Sequence, residues 1–269
     1  MIAVVDYQKG NLKSVERGLI AVGGEAFITA DASEIAKADA IVLPGVGAFA
    51  DAAATMRELG QMETIRERVR AGVPFLGICL GEHLMFEHGV EGAPEGNPAC
   101  GLGLLPGTIV AMPHCDAQGK AFKVPHVGWN TIEMPACNGG AAVPSCGEGV
   151  GGAVLSSGGA GGGAARSSAA KRGLFEHGAF PGSTPQPGSD LAFACPLFDG
   201  IAPGEYFYFT HSYIAPTGSH TIAETTHSVR FTSAVQYGDR AFGVQFHPEK
   251  SSDAGARVLA NFVAIAARG

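Results

Sequence analysis

The stretch "FLGICLGEH" at positions 75–83 places a cysteine between two glycines at the end of an apolar run. The run itself, "VPFLGI" at 73–78, predicts a buried strand, and a helix is expected to start directly after the cysteine. A strand that ends in G-x-C-x-G and continues into a helix is typical of a nucleophile elbow, where a tight turn lifts the side chain clear of the sheet. Gly77 and Gly81 relieve crowding at such a turn. An isolated Cys79 would be interpreted as an inert buried residue, but this context favours a nucleophile.

Strand and helix patterns alternate upstream of this elbow. Strands are predicted at 2–6, 26–29 and 40–45, and helices at 11–24 and in one long amphipathic segment from Asp51, whose apolar face holds Met56, Leu59, Met62, Ile65 and Val69. The alternation predicts an α/β fold with a mostly parallel central sheet and helices on both faces. Strand-like runs after about residue 100 predict extra, partly antiparallel strands in the second half, with a closing helix near 254–267.

The segment from about 135 to 190 differs in composition from the rest. Eleven of the 25 residues at 139–163 are glycine, and Glu148 is the only charged residue among them. Such a composition buries too little apolar area to offset its ordering entropy, so we expect a flexible insertion in a single domain spanning 1–269. The alternative, a phosphate-binding glycine loop, requires a strand before it and a helix after it, and neither pattern is present.

Composition restricts the class of function. The chain has 269 residues and 46% hydrophobic content, enough to bury a core in one domain or at most two. Its net charge of −7 argues against a nucleic-acid partner and leaves a small molecule or a protein. The chain contains no uninterrupted apolar run of about 18 residues, so no membrane span is predicted. The N-terminus lacks a signal-peptide pattern and the six cysteines form no C-x-x-C pair, so we expect reduced thiols and a cytoplasmic location.

A thiolate nucleophile requires a base, and the base requires a group that orients it. The stretch "GVQFHPEKS" at 243–251 offers both in His247 and Glu249, which lie on one side of an extended segment because they are two residues apart. Alone, H-P-E is a weak three-letter match. Combined with the elbow, it predicts a triad of Cys79, His247 and Glu249, and the helix after the cysteine would favour the thiolate.

The elbow and H-P-E together resemble the signature of class I glutamine amidotransferases, the triad-type enzymes that hydrolyse glutamine and pass ammonia to a synthase. Four further stretches are similar to one branch of that family, the glutaminase subunits of imidazole glycerol phosphate synthase in histidine biosynthesis. These stretches are "DYQKGNLKSV" (6–15), "LPGVGAF" (43–49), "KVPHVGWN" (123–130) and "YFYFTHSY" (206–213). The resemblance covers roughly 1–134 and 191–269, and no cofactor or metal is expected.

The resemblance implies a role for each matching position. Cys79 would attack the glutamine carboxamide to form a γ-glutamyl thioester, His247 would transfer protons, and Glu249 would orient the imidazole. Backbone N–H groups of Leu80 and Gly47 would bind the oxyanion. The glycines of the "PGVG" stretch at 44–47 would give the peptide there access to positive φ. The positions implied in substrate binding are Gly45, Val46, His83, Glu91, Ser212 and Tyr213.

The resemblance also implies a protein partner. A separate cyclase subunit, a (β/α)₈ barrel, would form a heterodimer with this chain and use the ammonia. The positions that match the partner interface are Asn11, Trp129, Tyr213 and Lys250. Without the resemblance, Trp129 would be predicted to be a core aromatic residue.

The elbow departs from the family at two positions. Relatives read C-L-G-M-Q, with the glutamine helping to position the substrate, whereas this chain has Glu82 and His83. A neutral imidazole offers one donor and one acceptor, so we expect His83 to substitute for the glutamine, with Glu82 favouring its charged form. The helix is expected to continue through Glu87 and His88, whose spacing from His83 matches no zinc motif. A non-catalytic subunit and an amidotransferase of another pathway are the alternative functions.

Overall fold

The computed structural model describes residues 1–135 and 193–268, which belong to one unit of contacts within Met1–Ser145 and Asp190–Gly269. The insertion predicted at about 135–190 lies, beyond Pro135, outside the described residues. The organisation of the chain as a single domain stays a prediction.

The two described ranges form short strands and helices in alternation. The strands are β1 (Ile2–Val5), β2 (Ala26–Thr29), β3 (Ala40–Gly45), β4 (Phe75–Cys79), β5 (Phe86–Gly89), β6 (Ala99–Cys100), β7 (Leu105–Ala111), β8 (His126–Thr131), β9 (Tyr206–His211), β10 (Tyr213–Ile214), β11 (Thr221–Thr226), β12 (Arg230–Tyr237) and β13 (Ala241–Val244). The helices are α1 (Leu12–Ala21), α2 (Ala32–Ile35), α3 (Phe49–Glu58), α4 (Gln61–Arg70), α5 (Leu80–His83) and α6 (Ser252–Ala266), with 3₁₀ turns at Pro196–Phe198 and Pro248–Lys250.

A seven-stranded sheet in the order β11-β12-β13-β4-β3-β1-β2 forms the centre. The five strands from β13 to β2 are parallel to one another, whereas β12 is antiparallel to both of its neighbours, β11 and β13. Successive side chains of β1 and β3 belong to two different hydrophobic clusters, one with α1 and α6 and the other with α3 and α4. This is the period-two pattern of a sheet covered on both faces, and the predicted α/β fold is confirmed.

Two smaller sheets contain the other six strands of the described residues. One has the order β10-β7-β5-β6, and the other is the antiparallel pair of β8 and β9. The predicted antiparallel strands in the second half are therefore present. Because β4 and β13 are parallel neighbours at the centre of the large sheet, their carboxyl ends share one edge, and this edge carries the cysteine and the segment that leads to H-P-E.

Two helix predictions were wrong. The long amphipathic segment from Asp51 is two helices, α3 and α4, because Gly60 adopts a left-handed conformation with φ 71° and breaks the helix between them. The helix after the elbow ends at His83, and Phe86–Gly89 forms β5 instead. Pairing of β5 with β6 and β7 satisfies the backbone there, and this tertiary pairing overrides the local helical pattern.

The cysteines were predicted to be reduced thiols. Cys79, Cys100 and Cys195 are free cysteines, whereas Cys115 is disulfide-bonded, so the expectation of reduced thiols is wrong for Cys115.

Among residues 1–135 and 193–268, no helix has the length and apolar character needed to cross a membrane.

Candidate active site

Cys79 occupies a strained turn between β4 and α5. Its backbone has φ 55° and ψ −107°, on the left-handed side that non-glycine residues rarely adopt. A Cβ at position 81 would lie 1.7 Å from the Leu43 carbonyl oxygen, and one at position 77 would lie 2.5 Å from the Gly81 carbonyl oxygen. Only glycine fits at 77 and 81, so the glycines that flank the cysteine are required by the close packing of the turn.

The neighbouring strands bring polar groups to the sulfur of Cys79. Val244 pairs with Ile78, so the residues after β13 pass beside the end of β4. Gln245 Nε2 donates to Cys79 Sγ at 3.7 Å, and the thiol faces the Thr210 carbonyl oxygen on β9 at 3.9 Å. The cysteine is 8% exposed, so its sulfur is enclosed by protein on most sides.

His247 and Glu249 form a buried pair beside this sulfur. His247 Nδ1 lies 2.9 Å from Glu249 Oε1, and their side chains are 3% and 1% exposed. Burial lowers the pKa of His247, but the Cys79 sulfur and the Glu249 carboxylate outweigh it and raise this pKa to about 9. Within the described residues Nε2 of His247 has no hydrogen-bond partner, so it is the nitrogen left to exchange a proton with the sulfur. The three predicted triad residues are therefore brought together.

Gly45, predicted to bind substrate, and Gly47, predicted to bind the oxyanion, differ in conformation. Gly45 pairs with Cys79 in the sheet register, and Gly47 has φ 99°. Gly45 has no positive φ, but a Cβ there would lie 2.4 Å from Tyr7 Oη and 2.8 Å from Leu80 Cβ. Positive φ is thus required only at Gly47, whereas Gly45 is required for space. Oxyanion binding by the Gly47 and Leu80 N–H groups stays a prediction.

The other predicted substrate residues lie in the segments that follow β3, β5 and β9. Val46 is exposed, and Glu91 is half-buried, with a carboxyl pKa that burial raises. Ser212 and Tyr213 follow β9, where the Ser212 carbonyl accepts from Met112 N–H at 2.8 Å. Their contacts with a substrate stay predictions.

The two departures from the family at the elbow are both buried. Glu82 has no exposed surface, and burial raises the pKa of its carboxyl well above the ordinary value. His83 is 3% exposed, and burial lowers the pKa of its imidazole to about 4, although a hydrogen bond to Gln245 acts in the opposite direction. The expectation that Glu82 favours a charged His83 was wrong, because burial dominates and a pKa of about 4 leaves the imidazole neutral near pH 7. Substrate binding by His83 stays a prediction.

Gln245 is a residue of the site that sequence reasoning missed. It is fully buried and contacts both His83, through Oε1, and Cys79, through Nε2. Its sequence context held a signal, since it is a polar residue within the apolar run "FGVQF" at 242–246. A buried polar side chain in such a run has a hydrogen-bonding role, because an unpaired one is costly.

Two of the four predicted partner residues, Trp129 and Lys250, lie on one surface, on either side of Tyr208. Trp129 is 43% exposed, in contrast to the core position that its residue type alone would predict, and its ring centroid lies 6.1 Å from that of Tyr208. Lys250 Nζ lies 5.9 Å from the centre of the same Tyr208 ring. We call Trp129, Tyr208 and Lys250 the aromatic surface. Asn11 is the exposed residue before α1, and Tyr213 is half-buried on β10; neither belongs to the aromatic surface as defined here.

Among residues 1–135 and 193–268, no group of three His, Cys, Asp or Glu side chains is placed to hold a metal ion.

Comparisons with known proteins identify the family of this chain. Residues 3–266 match the family model of glutamine amidotransferase class-I. The chain is 36% identical over 263 residues to imidazole glycerol phosphate synthase subunit HisH of Moorella thermoacetica, covering 97% of this chain and 93% of that protein. It is 33% identical over 264 residues to the same-named subunit of Syntrophotalea carbinolica, covering 97% and 98%.

Solved structures support the fold alone, because their sequence identity is low. A crystal structure of a glutamine amidotransferase matches with a TM-score of 0.58 at 16% identity, covering 99% of this chain and 100% of that one. The structure of PurLQS from Thermotoga maritima matches with a TM-score of 0.58 at 15% identity, covering 98% and 97%.

Proposed function

We propose, because the chain belongs to the class I glutamine amidotransferase family, that it is the glutaminase subunit of an imidazole glycerol phosphate synthase in histidine biosynthesis. It hydrolyses glutamine to glutamate and ammonia. The observation that carries this proposal is the buried His247–Glu249 pair, placed beside Cys79 at the carboxyl ends of two adjacent parallel strands. The name of the relatives, which match this chain over nearly their full length, supports the choice of synthase.

The first half-reaction forms a thioester. The pKa of His247 is raised to about 9, which favours a protonated imidazole beside the sulfur of Cys79 at neutral pH. The thiolate attacks the carboxamide carbon of glutamine, and backbone N–H groups of Leu80 and Gly47 bind the oxygen that becomes negative. The imidazolium gives its proton to the amine as the C–N bond breaks, which leaves a γ-glutamyl thioester and free ammonia.

The second half-reaction returns the enzyme to its starting state. His247, now neutral, removes a proton from water, and the resulting hydroxide attacks the thioester carbonyl. The C–S bond breaks, glutamate leaves, and the thiolate and imidazolium are restored. Glu249 holds Nδ1–H throughout, so Nε2 faces the reacting atoms in both steps.

The ammonia passes to a partner. We propose that the partner is a cyclase subunit with a (β/α)₈ barrel, that the two form a heterodimer, and that the complex works in the cytoplasm without a nucleic-acid or membrane partner. The aromatic surface supports this placement, because Tyr208 lies two residues from Thr210, whose carbonyl oxygen faces the Cys79 thiol. A partner seated on Trp129 and Lys250 would therefore lie close to the point where ammonia is released.

The test is the substitution Cys79→Ala in the complex with the cyclase subunit. Synthesis from glutamine should be lost, whereas synthesis from added ammonia should continue, because only the thioester route needs the sulfur. Cys100→Ala, at an exposed free cysteine, is the matched control and should retain both. Glutamine turnover by Cys79→Ala would contradict the proposal. If the unaltered chain hydrolyses no glutamine at any pH, the chain is a non-catalytic subunit.

A further inference from the structure

A buried line of hydrogen bonds leads from His83 to the nucleophile. His83 Nε2 lies 2.7 Å from Gln245 Oε1, and Gln245 Nε2 lies 3.7 Å from Cys79 Sγ. His83 is 3% exposed and Gln245 is 0% exposed, so water does not compete for these contacts. Neither residue is part of the triad described above.

The direction of the Gln245 amide depends on both of its neighbours. Burial lowers the pKa of His83 to about 4, so near pH 7 the imidazole is neutral and carries its proton on one nitrogen. When Nε2 carries that proton, it donates to Gln245 Oε1, and the NH₂ group of the amide then points at the sulfur. With the amide reversed, its oxygen would face the sulfur and repel a thiolate. A thiolate at Cys79 and a proton on His83 Nε2 therefore favour the same arrangement.

We propose that Gln245 is a positioning residue that stabilises and aims the Cys79 thiolate, and that His83 fixes the Gln245 amide in the orientation this requires. The consequence for catalysis rests on the proposed glutaminase function, but the effect on the sulfur does not. The other titratable groups that influence or face the sulfur are His247 with its partner Glu249, and Tyr7. The amide is thus a second, uncharged hydrogen-bond donor to the thiolate, in addition to the imidazolium.

The experiment measures the rate at which iodoacetamide alkylates Cys79 in the full-length chain, resolved by mass spectrometry of the peptides. Gln245→Met keeps the size of the side chain but removes the donor. Alkylation at pH 7 should fall about tenfold, as expected for the loss of one hydrogen bond to a charged group, and its pH profile should move to higher pH. Alkylation of Cys100, an exposed free cysteine in the same molecule, should not change. Gln236→Met, at a glutamine that instead binds the Gly238 carbonyl, is the matched control.

Two variants of His83 separate positioning from a general loss of structure. His83→Gln keeps a donor for Gln245 Oε1 and should retain most of the Cys79 alkylation rate. His83→Leu removes that donor and should lower the rate as Gln245→Met does, with no further loss in the double variant, because both act on one contact. If Gln245→Met does not fold, the comparison of the two His83 variants decides.

The outcomes for this inference and for the proposed function are distinct. Wild-type rate and pH profile in both Gln245→Met and His83→Leu would overturn the inference, whatever the glutaminase activity. A fall in alkylation in a chain that hydrolyses no glutamine would support the positioning role and contradict the proposed function. Where the chain is active, kcat for glutamine should fall in parallel with alkylation.

Discussion

His247 Nδ1 is held 2.9 Å from Glu249 Oε1, and the two side chains are almost completely buried. In the described part of the chain the second carboxylate oxygen, Oε2, has no hydrogen-bond partner, so the imidazole is the main group that stabilises this buried charge. The dependence is mutual, because the carboxylate also helps to raise the pKa of His247 to about 9. The pair therefore keeps the imidazole both oriented and protonated next to the nucleophile.

Glu249→Gln is expected to reduce glutaminase kcat by about 10²-fold or more, because it removes the charge that supports the imidazolium and orients Nε2. The pKa of His247 should also fall, so the alkaline limb of the profile, where the imidazolium loses its proton, should move to lower pH. The measurement is kcat for glutamine against pH in the complex with the cyclase. Glu58→Gln, at the exposed end of α3, is the control and should match the wild type. Superimposable profiles for Glu249→Gln and wild type would remove Glu249 from the mechanism.

A cluster of histidines on β8, on β9 and in the segment before β12 predicts that the folded chain loses stability in acid. His126 Nδ1 lies 3.0 Å from His211 Nε2, and the ring of His126 stacks on that of His227 with centroids 4.2 Å apart. Burial, and then the nearby His227, lower the pKa of His126 to about 4. Between pH 6.5 and 4 the unfolded chain binds a proton at this residue that the folded chain does not, so stability is present above this range and falls as the pH decreases through it.

The test compares the free energy of unfolding in urea at pH 7 and at pH 5. For the wild type the loss contributed by His126 should be about 1–2 kcal/mol. His126→Gln should show a smaller loss between the two pH values than the wild type, although it is less stable at pH 7. An equal loss in both proteins would mean that His126 does not titrate on unfolding in this range.

Gly45→Ala and Gly47→Ala should fail in different ways. A methyl group at position 45 meets Tyr7 Oη at 2.4 Å and Leu80 Cβ at 2.8 Å, so the first variant should be destabilised by about 1–3 kcal/mol through overpacking. At position 47 the nearest side chain is Lys9, at 3.5 Å, so space is available, but φ of 99° is unfavourable for alanine. The second variant should lose only about 1 kcal/mol of stability, yet its glutaminase rate should fall by about 10²-fold if the position 47 N–H binds the oxyanion.

Melting temperature and kcat, measured on both glycine variants, separate these effects. The double change Tyr7→Phe with Gly45→Ala removes the clashing hydroxyl and should recover part of the lost stability. A Gly47→Ala variant with full activity would show that this peptide does not bind the oxyanion.

The sequence was a good guide where local pattern and tertiary structure agree. The apolar run at 73–78 was predicted to be a strand, and it forms β4, whose last residue is Cys79. Gly77 and Gly81 are necessary for the turn that follows. Prediction failed where distant pairing decides the outcome, as in Phe86–Gly89, which pairs with strands that local periodicity does not reveal. The role of Gln245 was missed for the same reason, because its partners lie more than 160 residues away along the chain.

The aromatic surface predicts where binding energy to the partner is concentrated. Trp129 is 43% exposed in the chain alone, and large aromatic side chains that are exposed before binding commonly dominate the affinity of an interface. Trp129→Ala should weaken binding of the cyclase subunit by about 2 kcal/mol, or roughly 30-fold in Kd. Stability of the free chain should change little, because the side chain contributes little to the core. Calorimetric titration with the cyclase and urea unfolding of the free chain measure the two effects.

Ile20→Ala provides the control. Ile20 is also exposed, at 53%, but it lies at the C-terminal end of α1, whereas the predicted interface residue Asn11 precedes the N-terminal end. It should leave Kd within about twofold of the wild type, as surface substitutions outside an interface do. With Trp129→Ala, glutamine-dependent synthesis should be low at limiting cyclase and should recover when the cyclase is in large excess, because the catalytic triad is untouched. If synthesis stays low at saturation, Trp129 acts on the chemistry and not only on association. If both variants bind equally well, the partner uses another surface, and the ammonia must leave the elbow by a different route.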